Sequence, residues 1–368
     1  MDGVIIPNKQ NISYVIYYNN MINVEKQNTA DHTTFGLSKE VSFVLASSAQ
    51  DIEKYITYAK TNALPFYILG GGSNTIATDS VSTTLVIKNE VMGIKETYQE
   101  EGKVHIHVGA GEDWDALVLY CIDRGYSGIE ALAKIPGTVG AAPVQNIGAY
   151  GTELDEIFVE AEVLDARDMT CRIFKKEDCE FGYRTSVFKR NPGKYVITKV
   201  VLELNLLSED VPLKFPDYPS VKEYCKENNL QPTLENIYNV LSEIRASKLP
   251  DPKVLPNSGS FFANPIISEK DFEKLHVRFP RIPNFPIKDQ DRKLGQDIKI
   301  PAGWLIEQAG FKGKEIGNIK VHESNALVLT NPERKATHED LQNAISQIRN
   351  KVKEKFDIVL EQEPVELE

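Results

Sequence analysis

The run Leu69-Gly70-Gly71-Gly72-Ser73-Asn74 follows Phe66-Tyr67-Ile68-Leu69, an apolar stretch that reads as a short buried strand. Where side chains are missing, successive backbone amides can turn inward and cradle a diphosphate. The run has neither the lysine of a P-loop nor the GxGxxG spacing, so a tight turn is the competing reading, and the commoner one for an isolated glycine cluster. A second segment, from Ala133 to Gly151, is rich in glycine, alanine and proline and contains Ile135-Pro136-Gly137-Thr138-Val139-Gly140-Ala141-Ala142-Pro143-Val144-Gln145-Asn146-Ile147-Gly148. Small-residue backbone with few polar side chains suits a flat aromatic cofactor lying against main chain, with Gln145, Asn146 and free amides reading its edge. A long loop folded on itself explains the composition equally well. Two such segments in one unit shift the balance toward a dinucleotide.

Three further places carry polar chemistry. Arg184 lies in Tyr183-Arg184-Thr185-Ser186, between Phe181 and Phe188, though an arginine taken alone is usually a solvated surface residue. Gly259-Ser260-Phe261-Phe262 sets one hydroxyl at a turn beside a hydrophobic wall. There is no GxSxG elbow and no histidine close by, which argues against a hydrolase serine and leaves a turn serine as the sober alternative. Glu361 and Glu363 are two apart, hence on one face if extended, in an acidic terminal stretch of a kind that is usually solvated and idle. His105 and His107 alternate along an expected strand, where a structural role is favoured.

These residues need elements to hold them, and the patterns supply candidates. Ser48-x-x-Asp51 marks a helix start, with Ile52, Tyr55, Ile56 and Ala59 at helical spacing. Leu85-Val86-Ile87 and the alternating Val104 to Val108 read as strands, then Trp114, Leu117, Val118, Cys121 and Ile122 form a helix stopping near Gly125. Tyr195 to Leu207 reads as a strand, and a boundary is expected around Pro212 to Pro219. Thr233 to Leu249 is an amphipathic helix ended by Pro250-Asp251-Pro252, and a last helix is capped by Thr337, with Leu341, Ile345, Ile348 and Val352 in one stripe. Helices and strands alternate, so the class is mixed α and β.

The chain has 368 residues, enough for two or three units, and 42 basic against 53 acidic residues give a net charge of −11. That balance disfavours non-specific nucleic-acid binding, so an anionic ligand must be held by local cations or backbone amides. Four cysteines without CxxC or matching histidine spacing indicate neither zinc nor a disulfide framework, and no metal is expected. No apolar stretch long enough for a membrane span and no leader-like start are present, so a cytoplasmic location is the expectation.

Taken in this order, the segments resemble the MurB family, the UDP-N-acetylenolpyruvoylglucosamine reductases, in the long subgroup that carries a tyrosine loop. The similarity runs from about Thr33-Thr34-Phe35-Gly36 to Glu363, nearly the whole chain. Ile-Pro-Gly-x-x-Gly followed by Pro-x-Gln-Asn-Ile-Gly-Ala-Tyr-Gly, and Lys-Leu-Pro-Asp-Pro followed by Gly-Ser-Phe-Phe, make the set highly specific. The resemblance implies an α+β fold: a PCMH-type FAD-binding domain of two α+β subdomains over 28–208 and a smaller α+β substrate-binding domain over 209–355. An extension, 1–27, precedes them, and a segment carrying a catalytic glutamate, 356–368, follows. It implies an FAD-dependent oxidoreductase of peptidoglycan precursor synthesis, a monomer acting on small molecules.

The FAD contacts carried over by resemblance are Leu69, Gly70, Gly71, Gly72, Ser73, Asn74, Ile135, Pro136, Gly137, Gly140, Ala141, Gln145, Asn146, Gly148 and Arg245. Related oxidases that attach flavin covalently often have a histidine after the glycine run, whereas Ser73-Asn74 stands here, implying non-covalent FAD. The implied chemistry takes hydride from the co-substrate NADPH to the flavin, then from flavin N5 to C3 of the enolpyruvyl group. Arg184 stabilises the charge arising at C2 and its carboxylate, Glu363 polarises or orients the same group, and Ser260 protonates C2. Tyr183, Tyr218, Lys248, Asn264, Lys312 and Asn325 match substrate contacts, Phe215 being the rival for the loop tyrosine. The family places proline between the two terminal glutamates where this chain has Gln362, with Pro364 after it, so Glu361 rivals Glu363. Another PCMH-type flavin oxidoreductase, or a flavin or sugar-nucleotide binding protein without turnover, is the alternative class.

Overall fold

A computed structural model describes residues 22–208, 213–285, 287 and 298–368. The N-terminal extension up to residue 21 and Pro212, at the expected boundary, lie outside the described residues.

The first sheet has the order Glu25–Asn28, Glu40–Ala46, Leu85–Asn89, Phe66–Leu69, with parallel pairing among the last three. Alternation along Glu40–Ala46 sends Val41 and Phe43 to one face and Val44 and Ala46 to the other, and Val86 opposes Leu85 and Ile87 in the same way. One face is covered by the helix Ala49–Thr61 through Ile52, Ile56 and Ala59. That helix starts where its cap demands, Ser48 Oγ accepting from the Asp51 amide at 3.1 Å.

The second sheet is antiparallel, in the order Thr170–Lys175, Phe158–Asp165, Tyr195–Leu206, Lys103–Gly109, Ile94–Tyr98. Its core includes the helix Trp114–Asp123, and it also includes Val221 and Cys225 of the helix Pro219–Glu227 and Leu234, Ile237, Leu241 and Ile244 of the helix Leu234–Lys248. A shared core therefore crosses the 208/209 division.

The C-terminal unit builds a sheet of Asn257–Ser260, Val328–Thr330, Ile319–Val321 and Glu315–Ile316. The helix His338–Phe356 packs its Leu341, Ile345, Ile348 and Val352 stripe there, capped by Thr337 and Asp340. This core is continuous with the free face of the first sheet, through Phe35, Val41, Phe43, Leu69 and Val86.

The terminal segment is not an idle solvated tail. Val365–Leu367 runs parallel to Thr75–Ala77, the strand following the glycine run, and Leu367 is buried. Thr78 donates through both its amide and its hydroxyl to the Leu367 carbonyl, each at 3.0 Å. Two donors of one residue thus converge on the Leu367 carbonyl at the end of a short strand.

Candidate active site

The two glycine-rich segments meet. Ser73 Oγ donates to the Pro136 carbonyl at 3.1 Å. A Cβ on Gly70 would lie 2.7 Å from Thr138 Oγ1, and one on Gly71 would lie 2.7 Å from Gly137 Cα. Gly72 has φ +68°, and a Cβ there would meet the His32 carbonyl oxygen at 1.9 Å. Gly140 packs equally closely on Ala110. The seam is therefore walled by backbone because no side chain fits, the arrangement in which amides can approach a diphosphate, and the residues fit a dinucleotide. Leu69 turns its side chain into the core shared with the C-terminal unit, Ile135 packs on the core of the second sheet, and Ala141 borders Gly70.

Two amides tie this seam to the terminal segment. Asn74 Nδ2 donates to Gln145 Oε1 at 2.8 Å and to the Glu363 carbonyl at 3.3 Å, while Gln145 Nε2 reaches Glu363 Oε1 at 3.5 Å. Asn146 is fully buried in a left-handed conformation, φ +45°. Its Oδ1 accepts from the Asp155 amide at 3.0 Å and its Nδ2 reaches the Gly182 carbonyl at 3.5 Å. That side chain is occupied as a brace between the flavin loop and the arginine turn.

Gly182 and Thr185 exchange backbone hydrogen bonds of 3.1 Å, which closes a tight turn with Tyr183 and Arg184 at its tip. Arg184 pays for this with a left-handed backbone, φ +54°. Ser186 then caps the short helix Val187–Arg190, accepting from the Phe188 and Lys189 amides, and donates to Val144 of the flavin loop at 2.6 Å. From the turn, Arg184 Nε reaches Glu363 Oε1 at 3.2 Å and Nη2 donates to the Gly148 carbonyl at 3.0 Å. Burial alone would lower the guanidinium pKa, but Glu363, Tyr183 and Glu153 hold it above the ordinary arginine value.

Ser260 is the last residue of its strand, opposite Val328, and half-buried. The chain beyond it pairs with the terminal segment: Glu363 N donates to the Phe261 carbonyl at 3.0 Å, Phe262 faces Gln362, and Ala263 N donates to Glu361 at 2.9 Å. The register sets Glu363 opposite the residue after Ser260 and sends Glu361 outward, exposed. Tyr183 lies beneath two cations, 5.2 Å from the Arg184 guanidinium carbon and 4.7 Å from Lys299 Nζ. Burial pushes its hydroxyl up, and hydrogen bonding with Asn264 acts the other way. Asn264 Oδ1 also accepts from the Ala302 amide at 2.9 Å.

Another group gathers at the end of the helix Leu234–Lys248. Lys248 Nζ lies 3.2 Å from Ser220 Oγ and 5.9 Å from the Tyr218 ring centre, its carbonyl accepts from Asn325 Nδ2 at 3.2 Å, and Tyr218 meets Tyr150 edge-on at 5.4 Å. Phe215 and Tyr218 both pack on the second core, but of the two only Tyr218 has these contacts. Arg245, one turn before Lys248, has its guanidinium pushed down by burial and feels Tyr150 and Arg184. Lys312 is not brought to this group: it is exposed and paired with Glu307 at 3.1 Å. Lys189 and Lys299 belong to this neighbourhood but carry no motif of their own in the sequence, and Tyr150 lies inside the Gly-Ala-Tyr-Gly motif without a role read for it there. Among the described residues there is no cluster of metal-binding side chains, and no helix is long and apolar enough to cross a membrane.

Known proteins are similar to this chain over most of its length. Residues 251–367 match the C-terminal domain of UDP-N-acetylenolpyruvoylglucosamine reductase, and residues 42–173 match an FAD binding domain. The UDP-N-acetylenolpyruvoylglucosamine reductase of Flavobacterium johnsoniae is 38% identical over 90% of this chain and 96% of its own length. The chain belongs to the UDP-N-acetylenolpyruvoylglucosamine reductase (MurB) family. The Pseudomonas aeruginosa reductase is likewise 38% identical, over 90% of this chain and 95% of its own. The Thermus caldophilus MurB crystal structure shares the fold, with a TM-score of 0.62 at 22% identity, covering 94% of this chain and 99% of that one. The MurB fold accounts for the two glycine-lined segments of one FAD-binding domain and the C-terminal α+β unit.

Proposed function

We propose that this chain reduces UDP-N-acetylglucosamine enolpyruvate to UDP-N-acetylmuramate at the expense of NADPH, with non-covalent FAD, in peptidoglycan precursor synthesis. The observation that carries the reading is the Arg184–Glu363 pair beside the glycine-lined seam, with the strand that ends at Ser260 continuing into backbone pairing with the segment that carries Glu363. When bound, FAD supplies the hydride relay between the nicotinamide and the enolpyruvyl group.

The chain's own residues do the rest. Arg184, aimed by its turn and by Glu363, sits where a guanidinium can hold the substrate carboxylate and the charge that grows beside it as hydride reaches C3. Ser260 is the proton donor for C2. A serine hydroxyl is a very weak acid, and it can serve because the developing carbanion is far more basic and the site holds the donor in reach. Lys248, Tyr218 and Asn325 form the place for the diphosphate, Asn264 and Tyr183 line the passage to the reacting end, and Lys312 would join only on movement of its loop. This answers how a chain of net charge −11 holds an anionic nucleotide: by local cations. The reading is of a cytoplasmic monomer whose partners are small molecules, without nucleic acid or membrane.

The test is anaerobic stopped-flow absorbance of the flavoprotein, mixed with NADPH and then with the enolpyruvyl substrate. Bleaching followed by recovery only on the second addition is expected. Bleaching without recovery would assign a different oxidant, and a colourless protein would remove the flavin.

A further inference from the structure

The lysine five residues after Arg184 has no role in the chemistry described above, yet it is built into the same turn. Lys189 lies on the short helix that Ser186 caps, and its Nζ returns to donate to the Arg184 carbonyl at 3.2 Å. Its side chain is half-buried, and the charges it feels are Glu363, Arg184 and Glu361. An ammonium is placed so only at a cost in solvation, which the carboxylates offset in part, burial still holding its pKa below the ordinary lysine value.

Two properties of Arg184 call for such a partner. It is a residue with a Cβ held at φ +54°, a conformation that persists only where the surroundings impose it. Among the described residues, Lys189 is the side chain that hydrogen-bonds its carbonyl, which adds a hold at the tip to the Gly182–Thr185 pair that closes the base of the turn. The second property is charge. Glu363 engages Arg184 through one oxygen, and an incoming substrate carboxylate would compete with Glu363 for the same guanidinium. Lys189, held on the carbonyl of that same arginine, is a second cation on the turn, and a second cation there lets both anions share the site.

We propose that Lys189 is a positioning residue for the reductive half of the cycle: it locks the Arg184 turn through the Arg184 carbonyl and supplies the second positive charge that lets Glu363 and the substrate carboxylate sit beside one guanidinium. This rests on the function proposed above and adds to it a residue with no direct contact to the reacting atoms.

The experiment uses the flavin-loaded full chain as wild type and as Lys189→Met, Lys189→Gln and Lys189→Arg. Flavin content, the rate of bleaching by NADPH, the rate of recovery with the enolpyruvyl substrate, and that substrate's affinity from the change in flavin spectrum on binding are measured for each. Misplacing a reacting group by about 1 Å can cost on the order of a hundredfold. The Met variant is therefore expected to keep its flavin and its bleaching rate within about threefold, to recover about tenfold to a hundredfold more slowly, and to bind substrate more weakly. Arg, which keeps charge and donors, restores most of the recovery rate, and Gln, a neutral donor, falls between. If the Met variant does not fold, the Gln and Arg pair carries the same contrast. Recovery within twofold of wild type in Met or Gln, or equal loss of both half-reactions in every variant, overturns the proposal. A wild type that bleaches but never recovers with the enolpyruvyl substrate would instead refute the functional reading on which it rests.

Discussion

Glu96 and Glu363 each meet an arginine, and the two carboxylates are held in opposite ways. Glu96, on the strand Ile94–Tyr98, has both oxygens engaged: Oε1 by Tyr120 at 2.7 Å and Arg124 at 3.0 Å, Oε2 by Tyr126 at 2.9 Å and Tyr98 at 3.2 Å. Arg124 also lies over the Tyr120 ring at 3.6 Å, which closes the cluster. Glu363 holds Arg184 and Gln145 through Oε1, and among the described residues nothing reaches Oε2. Its side chain is 11% exposed against 20% for Glu96, so the more deeply placed carboxylate is the less satisfied one. Buried polar atoms are normally all paired, and a saturated carboxylate braces a fold, whereas one with an open oxygen keeps an acceptor available to a ligand. The difference sets a saturated cluster apart from the pair to which the proposed function assigns the chemistry, without reference to sequence motifs.

The comparison can be broken most severely at the proton donor. Ser260→Ala should bleach with NADPH as wild type does, yet recover with the enolpyruvyl substrate on the order of a hundredfold or more slowly in stopped flow. Unchanged turnover would take the proton role from Ser260. Next comes Glu363→Gln, which keeps shape and removes charge. Losing a charge-assisted hydrogen bond worth about 1.5–3 kcal/mol should slow recovery about tenfold to a hundredfold, with the melting temperature little altered. If stability fell while the rate held, Glu363 would belong with Glu96.

Glu96→Gln should do the reverse, leaving turnover intact and lowering stability by about 1–3 kcal/mol in denaturant titration. Burial acts to raise the Glu96 carboxyl, but the hydroxyls of Tyr120, Tyr126 and Tyr98 outweigh it and hold the pKa below 4.5. A carboxyl depressed in the folded state contributes stability that is fully present above its unfolded value and is lost as pH falls through the folded one. The difference in stability between wild type and Glu96→Gln should therefore be full above about pH 5 and shrink progressively below pH 4.5. A difference that persists unchanged into acid would mean the cluster acts through packing alone.

What could be read from the residues divides along the same physical line. The helix starts at Ser48, Thr233 and Thr337 follow from a hydroxyl satisfying a free amide, a local event written in adjacent residues. The strand Phe66–Leu69 and the glycine run after it are local too. Pairing partners far along the chain are not: Val365–Leu367 is three residues long, too short to show alternation, and joins Thr75–Ala77 nearly three hundred positions earlier. An amphipathic stripe on Leu234–Lys248 announces that a face is buried, but not that it is buried on the sheet of the flavin domain. Arg184 in a left-handed turn has no glycine to announce it, and Lys189 reads as one more polar surface residue until the Arg184 carbonyl is seen above it. Family resemblance named the candidate side chains, and the structure supplied the contacts that hold Arg184 and Glu363.

The smallest expected effect is the sharpest on register. Glu361 and Glu363 are two residues apart, one full period of an extended segment, so a slip of two residues would bring Glu361 opposite Phe261, where Glu363 now stands. In the pairing present here the Glu361 carbonyl accepts from Ala263, while its carboxylate is exposed and acts on the site only through the field felt by Lys189. A solvated charge at that remove is strongly screened. Glu361→Gln should therefore change the recovery rate by no more than about twofold and leave stability within about 0.5 kcal/mol. The same variant measured at high salt should converge on wild type, because screening already removes what little the charge contributes. A tenfold loss, comparable to that in Glu363→Gln, would place the Glu361 carboxylate at the Arg184 turn and require the terminal segment to bind in a different register from the one that pairs Phe262 with Gln362.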